Sequence, residues 1–390
     1  MKNKKWICEF YLIVWMLYNL QSPLNYSGST FSLITAAIVV GMSLYFFVYA
    51  FRKLLLPKPL KILSYMLFIW TVYGIIMIIQ GKTNGISSFD YIKVIYVSLL
   101  PIFTIYVFTS KGWLTEEMLI RWTYVFVVVA LISYYYFVGM SNISQLMGTD
   151  RTNNLSTEIL GLLPLVPLFW RKPTIQYILL GICVFHLLFG MKRGAIVIGS
   201  VCSLWIIMRT FKMETETKKI NVSRQIKRIF LVSIIVIGAS YFVSGLLSSG
   251  GYFVERLEQT RDGNSSGRDM IYSTMLNYFL NERDFMEILF GNGGYATLFM
   301  FDSYAHNDWL EIAINNGLVM IVLYLIYWVS FVKLYFKSKK NTVERNIIGA
   351  FLIIYFFRTL VSMSYNDIPI YSSVATGYAL ANYKYKVKTV

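Results

Sequence analysis

Charge is scarce in this chain. Only 14% of its 390 residues are Asp, Glu, Lys or Arg, against about 25% in soluble domains. That excludes a chain built of one or two water-soluble domains. Histidine is nearly absent, with two copies, His186 and His306. The three cysteines, Cys8, Cys183 and Cys202, all lie in apolar runs. They have no metal-ligand spacing and read as packing residues, not as a disulfide framework. No His, Cys or acidic cluster has zinc-site spacing, so no metal or other cofactor is expected. There is no convincing internal repeat and no low-complexity tract. The basic start from Met1 to Lys5 leads into an apolar run, but Glu9 interrupts it and no small-residue cleavage site follows. A retained first membrane helix is therefore expected in place of a signal peptide.

What is abundant is apolar surface. Hydrophobic residues make up 56% of the chain and aromatic residues 17%, the latter suiting rings at two membrane interfaces. A span needs roughly 20 apolar residues to cross about 30 Å of hydrocarbon. Twelve candidate runs fit, at about 6–22, 31–51, 60–80, 91–109, 118–138, 155–170, 174–191, 194–211, 228–248, 311–335, 346–365 and 368–384. The sixth is short and carries Pro164 and Pro167, so a broken or interfacial helix is open there. The fold class is an all-α polytopic membrane protein with about twelve transmembrane helices and one large extracytoplasmic loop containing short amphipathic helices. Residues 1–249 form an N-terminal bundle of about nine spans, 250–307 the loop, and 308–390 about three C-terminal spans.

The net charge of +16 invites a nucleic-acid partner. The basic residues sit instead in short loops between apolar runs, as topology signals do, and no nucleic acid is expected. With the N-terminus inside, 26 of the 36 lysines and arginines fall on the inner side. Both termini are then cytoplasmic and 250–307 faces outward. Ten positives remain outside: Lys82, Lys93, Arg151, Lys192, Arg193, Arg256, Arg261, Arg268, Arg283 and Arg358. Topology disfavours them, so another cause is needed for at least some. Arg193 stands in the tight turn Phe189-Gly190-Met191-Lys192-Arg193-Gly194 between two apolar runs. A charge at a membrane boundary marks a functional candidate, and the plainer reading is a snorkelling anchor.

The outer loop is the longest polar interval of the chain. Ile271, Met275, Tyr278 and Phe279 recur at helical spacing, with Ser265 or Ser266 as a cap. Arg268 falls in the first turn, where positive charge is unfavourable unless an anion such as phosphate binds there. Ile288-Leu289-Phe290-Gly291-Asn292-Gly293-Gly294 is an apolar stop followed by glycines, and lacks the lysine of a nucleotide-binding loop. His306 opens the tenth run, with Asn307 and Asp308 as candidate caps. Glu311 lies off the three- or four-residue spacing that would share its face. His306 is either an interfacial histidine bonded locally or a general base with a near-neutral pKa. His186 reads as a packed, satisfied histidine. A histidine near neutrality, outer arginines that grip phosphate and aromatic rings point to chemistry on a lipid-linked phosphate substrate.

At these residues the chain resembles the O-antigen ligase/polymerase superfamily, and Wzy-type O-antigen or capsular polysaccharide polymerases most. The likeness runs from about Tyr252 to Trp328. It comprises Gly267-Arg268, the turn Leu289–Gly293, and Ala305-His306-Asn307-x-x-Leu310 followed by Asn316-Gly317-Leu318. Lys192-Arg193-Gly194-Ala195 and, more weakly, Gly148–Asn154 are similar to further family segments. Two departures are Tyr272 where a tryptophan is frequent, and Asn292 and Gly294 in place of a Gly-x-Gly-Pro-like pattern. The resemblance implies a glycosyltransferase performing metal-independent, inverting transfer. The donor would be a glycan on undecaprenyl pyrophosphate and the acceptor a sugar hydroxyl. His306 would be the base, and Arg193 and Arg268 would hold the pyrophosphate. Arg151, Arg256, Lys192, Asn307 and Tyr304 are candidate substrate contacts.

The implied setting is a bacterial cytoplasmic (inner) membrane, with the bilayer and a chain-length regulator as further partners. Polymerase and ligase differ in acceptor, another lipid-linked repeat or lipid A–core. Size and richness in Ile, Lys, Asn and Tyr favour the polymerase. A polysaccharide flippase or transporter would show repeats and broken helices in matching positions, whereas only the sixth run looks broken.

Overall fold

The structure is a computed structural model, and it describes residues 4–21, 24, 28–79, 88–145, 156–190, 192–217, 222–248, 258, 267–362, 364–365 and 368–388. Among the described residues there is no strand. In chain order the helices are α1 (Lys5–Asn19), α2 (Thr30–Lys53), α3 (Lys58–Ile79), α4 (Ser88–Leu99), α5 (Pro101–Ser110), α6 (Glu116–Gln145), α7 (Ser156–Leu162), α8 (Pro173–Phe189), α9 (Arg193–Thr217), α10 (Val222–Ser248), α11 (Arg268–Asn277), α12 (Phe285–Phe290), α13 (Ala296–Phe301), α14 (Asp308–Lys337), α15 (Val343–Val361) and α16 (Ile370–Lys388). Among the described residues, each of the twelve apolar runs contains helix. Six segments are long and apolar enough to cross a membrane: Thr30–Lys53, Lys58–Ile79, Tyr91–Ser110, Glu116–Tyr136, Arg193–Met213 and Asp308–Lys337.

The burial pattern explains why apolar runs with no polar face still make distinct helices. On α9, Ala195, Ile198, Cys202 and Ile206 are buried, while Val197, Val201, Leu204 and Met208 are exposed. On α14, Met320, Tyr324, Tyr327 and Phe331 point inward and Val322, Leu325 and Val329 outward. A helix apolar all round has a protein-facing stripe and a second face suited to lipid. The inward stripes are aromatic. Phe46 meets Phe108 edge-on at 4.8 Å between α2 and α5, and Trp328 stacks on Phe351 at 6.1 Å between α14 and α15.

Two irregular stretches sit inside this bundle. Pro101 opens α5, so the fourth run is two helices. The sixth run starts as α7 and tightens into a 3-10 segment, Leu163–Phe169, that contains Pro164 and Pro167, each lacking an N–H to donate. All seven residues of that segment are buried. Broken backbone at membrane depth is tolerated where protein covers it. The segment packs against α8, α15 and α16. Cys8, Cys183 and Cys202 are buried as packing residues. His186 is satisfied on both ring nitrogens, by Ile182 O at 2.7 Å and Tyr135 Oη at 3.0 Å.

The described part of the loop folds back on α14. α11 starts at Gly267, whose φ of +78° makes the turn, so the helix has a glycine cap and not a serine one. Ser265 and Ser266 lie outside the described residues. Met275 buries against Ala296, Ala305 and Ile314. A π turn, Tyr278–Glu282, leads to α12 and α13.

Candidate functional site

Three separated pieces of the sequence converge on the end of α15. Its last carbonyls have no partner within the helix and form its negative pole. Arg268 donates from Nη1 to Val361 O at 3.0 Å, and Asn307 donates from Nδ2 to Leu360 O at 3.3 Å. Gly194 lies near the same residue: a Cβ added to it would stand 3.5 Å from Val361 Cγ2. That proximity places the Lys192-Arg193-Gly194 turn near the end of α15, where Arg268 and Asn307 also bond. Arg268, misplaced for the positive pole of α11, is well placed for the negative pole of α15. Trp309 adds a bond from Nε1 to Thr359 Oγ1 at 3.0 Å.

His306 has a left-handed backbone, with φ +51°, which is uncommon for a residue with a Cβ. Several bonds impose it. Asn307 caps α14, its Oδ1 accepting from Trp309 N at 2.9 Å and Leu310 N at 3.2 Å. Upstream, the Glu311 carboxylate accepts from Ala305 N at 2.8 Å, from Asn315 Nδ2 at 2.9 Å and from Thr297 Oγ1. Tyr272 donates to His306 O at 3.4 Å. Asp308 is no cap. It is fully buried and accepts from Tyr324 Oη at 2.7 Å, Ser364 N at 2.7 Å and Ser364 Oγ at 2.6 Å, with the buried Arg358 close enough to act on its charge.

The imidazole itself is left half-exposed. Among the described residues no side chain hydrogen-bonds it. Burial, and then the positive charges of Arg268 and Lys192, hold its pKa below the ordinary histidine value. A neutral imidazole beside two cations accepts a proton from a hydroxyl while the cations attract an anion. Tyr304 is half-buried 6.3 Å from the Tyr295 ring. Burial first, and Glu311 second, raise its phenol above the usual range, so it serves as a neutral hydrogen-bonding group.

The glycine turn and the Asn316-Gly317-Leu318 element are two halves of one contact. Gly317, with φ +70° and ψ −174°, breaks α14. A Cβ there would stand 2.4 Å from Leu289 O, and one on Gly291 (φ +78°) would stand 2.4 Å from Asn315 O. Both positions therefore require glycine. The break frees carbonyls, and the loop and α3 supply their donors. Asn292 N reaches Ile314 O and Gly293 N reaches Asn315 O, each at 2.9 Å. Arg283 Nη1 reaches Ala313 O at 2.9 Å, and Tyr73 Oη reaches Asn316 O at 3.3 Å. Arg283 is thus accounted for as a backbone clamp, and Arg358 as a buried neighbour of Asp308.

The structure brings together His306, Arg268, Lys192 and Asn307, with the Arg193 turn alongside and Tyr304 two residues upstream. Arg151 and Arg256 lie outside the described residues, as do Lys82 and Arg261. Sequence reasoning missed Glu311, set aside for its spacing. Glu311 does not share a face with His306; it grips the backbone before it. It also missed the end of α15, an apolar helix with no local signal apart from Thr359 and Arg358. Among the described residues no group of three His, Cys, Asp or Glu stands close enough to hold a metal ion. Comparison of the chain with protein-family models, with curated proteins and with solved structures found no match.

Proposed function

We propose that this protein is a polysaccharide polymerase of the bacterial cytoplasmic membrane. It joins repeat units carried on undecaprenyl pyrophosphate at the outer face, by metal-independent inverting glycosyl transfer. In this reading all twelve helical runs belong to the membrane bundle, both termini are cytoplasmic, and 250–307 faces outward. The observation that carries it is the placement of the His306 imidazole close to Arg268 and Lys192, in a chain of apolar helices.

An acceptor sugar hydroxyl attacks the anomeric carbon of the donor glycan from the face opposite the pyrophosphate. His306 takes the hydroxyl proton as the new C–O bond forms. The bond from the anomeric carbon to pyrophosphate breaks, and the electron pair leaves on undecaprenyl pyrophosphate. Arg268, Lys192 and Arg193 offset that developing negative charge, which is worth more in a partly dehydrated site than in water. Asn307 and Tyr304 would orient sugar hydroxyls. Attack from the opposite face inverts the anomeric configuration.

A ligase would use the same groups with lipid A–core as acceptor, and a flippase would use none of them as catalysts. Deleting the gene and resolving the envelope polysaccharide by size separates the three. A polymerase null leaves single-repeat material at the surface. A ligase null accumulates long carrier-linked polymer, and a flippase null accumulates repeat units on the cytoplasmic side. The last two outcomes overturn the proposal.

A further inference from the structure

The short helix α12, inside the polar interval, carries an exposed apolar face. Phe285 is 71% exposed and Met286 60%, and Phe290 is exposed with them. At about 100° per residue these three fall within an arc of about 140°, wide enough for the apolar stripe of an amphipathic helix. Glu287 lies outside that arc and is engaged within the protein, its Oε1 accepting from Asn292 Nδ2 at 3.3 Å. Just before the helix Glu282 and Asp284 are exposed. The Asp284 carboxylate caps α12 by accepting from Glu287 N at 2.8 Å.

An exposed apolar face does not name its own partner, but its depth does, and two helices measure that depth. α14 has 30 residues, about 45 Å of helix, which is too long for about 30 Å of hydrocarbon. Its break at Gly317 leaves residues 318–337 as one straight piece of about 30 Å. The edge of the hydrocarbon then falls near the break. α12 is held at that level, because Arg283 Nη1 donates to Ala313 O at 2.9 Å and the turn after α12 bonds Ile314 O and Asn315 O. The second measure is α3. Lys61 is its last charge, and residues 62–79 carry none. Tyr73 is twelve residues past Lys61, about 18 Å along the axis, and so lies within the same layer. Its hydroxyl donates to Phe290 O at the end of α12 and stands 3.3 Å from Asn316 O. Beyond Tyr73, α3 still exposes Ile75, Ile76 and Ile79, and α14 exposes Leu318 and Val319 just past its break. The apolar face of α12 is therefore level with two lipid-facing surfaces.

We infer that α12 is a membrane-embedded anchor, with Phe285, Met286 and Phe290 among lipid acyl chains at the edge of the hydrocarbon and Glu282 and Asp284 at headgroup level. Helices that lie in the interface divide their residues in this way. The interval 250–307 is then not wholly a water-side loop. The inference stands on depth and exposure and does not depend on the transferase reading.

The test uses the full-length protein in liposomes of phosphatidylethanolamine and phosphatidylglycerol. Phe285→Cys, Met286→Cys and Phe290→Cys each receive a nitroxide label, while Cys8, Cys183 and Cys202 are buried and take none. Relaxation of the label by oxygen, which concentrates in hydrocarbon, is compared with relaxation by a water-soluble nickel chelate. Val322→Cys, on the exposed side of α14, is the hydrocarbon reference, and Glu282→Cys the aqueous one. Oxygen is expected to dominate at the three α12 positions as at Val322→Cys, and nickel at Glu282→Cys. All the substitutions are on exposed positions, and unchanged elution from a sizing column shows that the fold is kept. The inference is overturned if nickel dominates at two or more of the three positions, which places the face in water. It is equally overturned if neither reagent reaches them, because protein then covers the face, or if labels on two molecules broaden one another, because a second copy then covers it.

Discussion

Glu311 holds the backbone of Ala305, and through it the left-handed turn at His306. The carboxylate oxygen and the Ala305 N–H are 2.8 Å apart in a fully buried setting. The same carboxylate accepts from Asn315 and Thr297, so one side chain ties the His306 turn, α13 and the kinked helix together. Replacing it by Gln puts an N–H₂ where only donors point. Leaving buried partners unmatched costs about 1–3 kcal/mol. Glu311→Gln is expected to lower the melting temperature of the purified protein and to reduce polymer formation, with Glu311→Ala worse on both counts.

Gly317 and Gly291 meet backbone to backbone. Ala at either position meets a left-handed φ and a contact of 2.4 Å with main-chain atoms. Strained backbone of that kind costs about 1–3 kcal/mol before any clash, so both variants are expected to be poorly expressed. Gly41→Ala in α2 is the control. Its Cβ would meet nothing within 4 Å, and near-native expression is expected.

Arg283→Lys probes the clamp on the kink. Lysine keeps the charge and loses the planar fork that reaches Ala313 O and the carbonyls of Glu287 and Ile314. The expected result is a loss of stability of about 1–3 kcal/mol, seen as a lower melting temperature. Unchanged stability would contradict the structural role given to this arginine.

The titration of His306 has a definite sign. Burial and two neighbouring cations disfavour the imidazolium, which favours the neutral imidazole that the proposed base requires. Activity should fall on acidification only below the ordinary histidine range, as His306 gains a proton. Lys192→Gln removes one of the repelling charges, so the His306 pKa should rise and the acid limb of the pH profile should move to higher pH. With only two histidines in the chain, carbon-13 histidine NMR on a His186→Asn background reads that pKa directly. His186 is bonded on both ring nitrogens within the protein, so this background is expected to retain activity.

Much of this architecture could be read before any coordinates, and the reasons differ by element. The helices were legible because long apolar runs bounded by Lys and Arg leave the backbone few alternatives in lipid. The break at Pro164 and Pro167 was legible because proline cannot donate. The convergence of Arg268, Lys192 and His306 is foreshadowed by positive charges that the expected topology disfavours. What could not be read was pairing across distance. Gly291 and Gly317 each looked like a local turn signal, and only the fold shows that each needs the other. Glu311 was misjudged because helical spacing speaks for side-chain faces, whereas it acts on a main-chain N–H outside the helix. The α15 terminus gave no warning, since its function lies in two carbonyls that every residue possesses.

The most direct measurement is His306→Asn in cells lacking the native gene, with surface polysaccharide resolved by size. Asn tolerates the left-handed backbone of this position better than Ala does, and it removes the base without removing the turn. General-base catalysis contributes about 10²–10⁴-fold, so the variant should reach native levels in the membrane yet yield only single-repeat material. A normal ladder from that variant would contradict His306 as the base and, with it, the mechanism built around this turn.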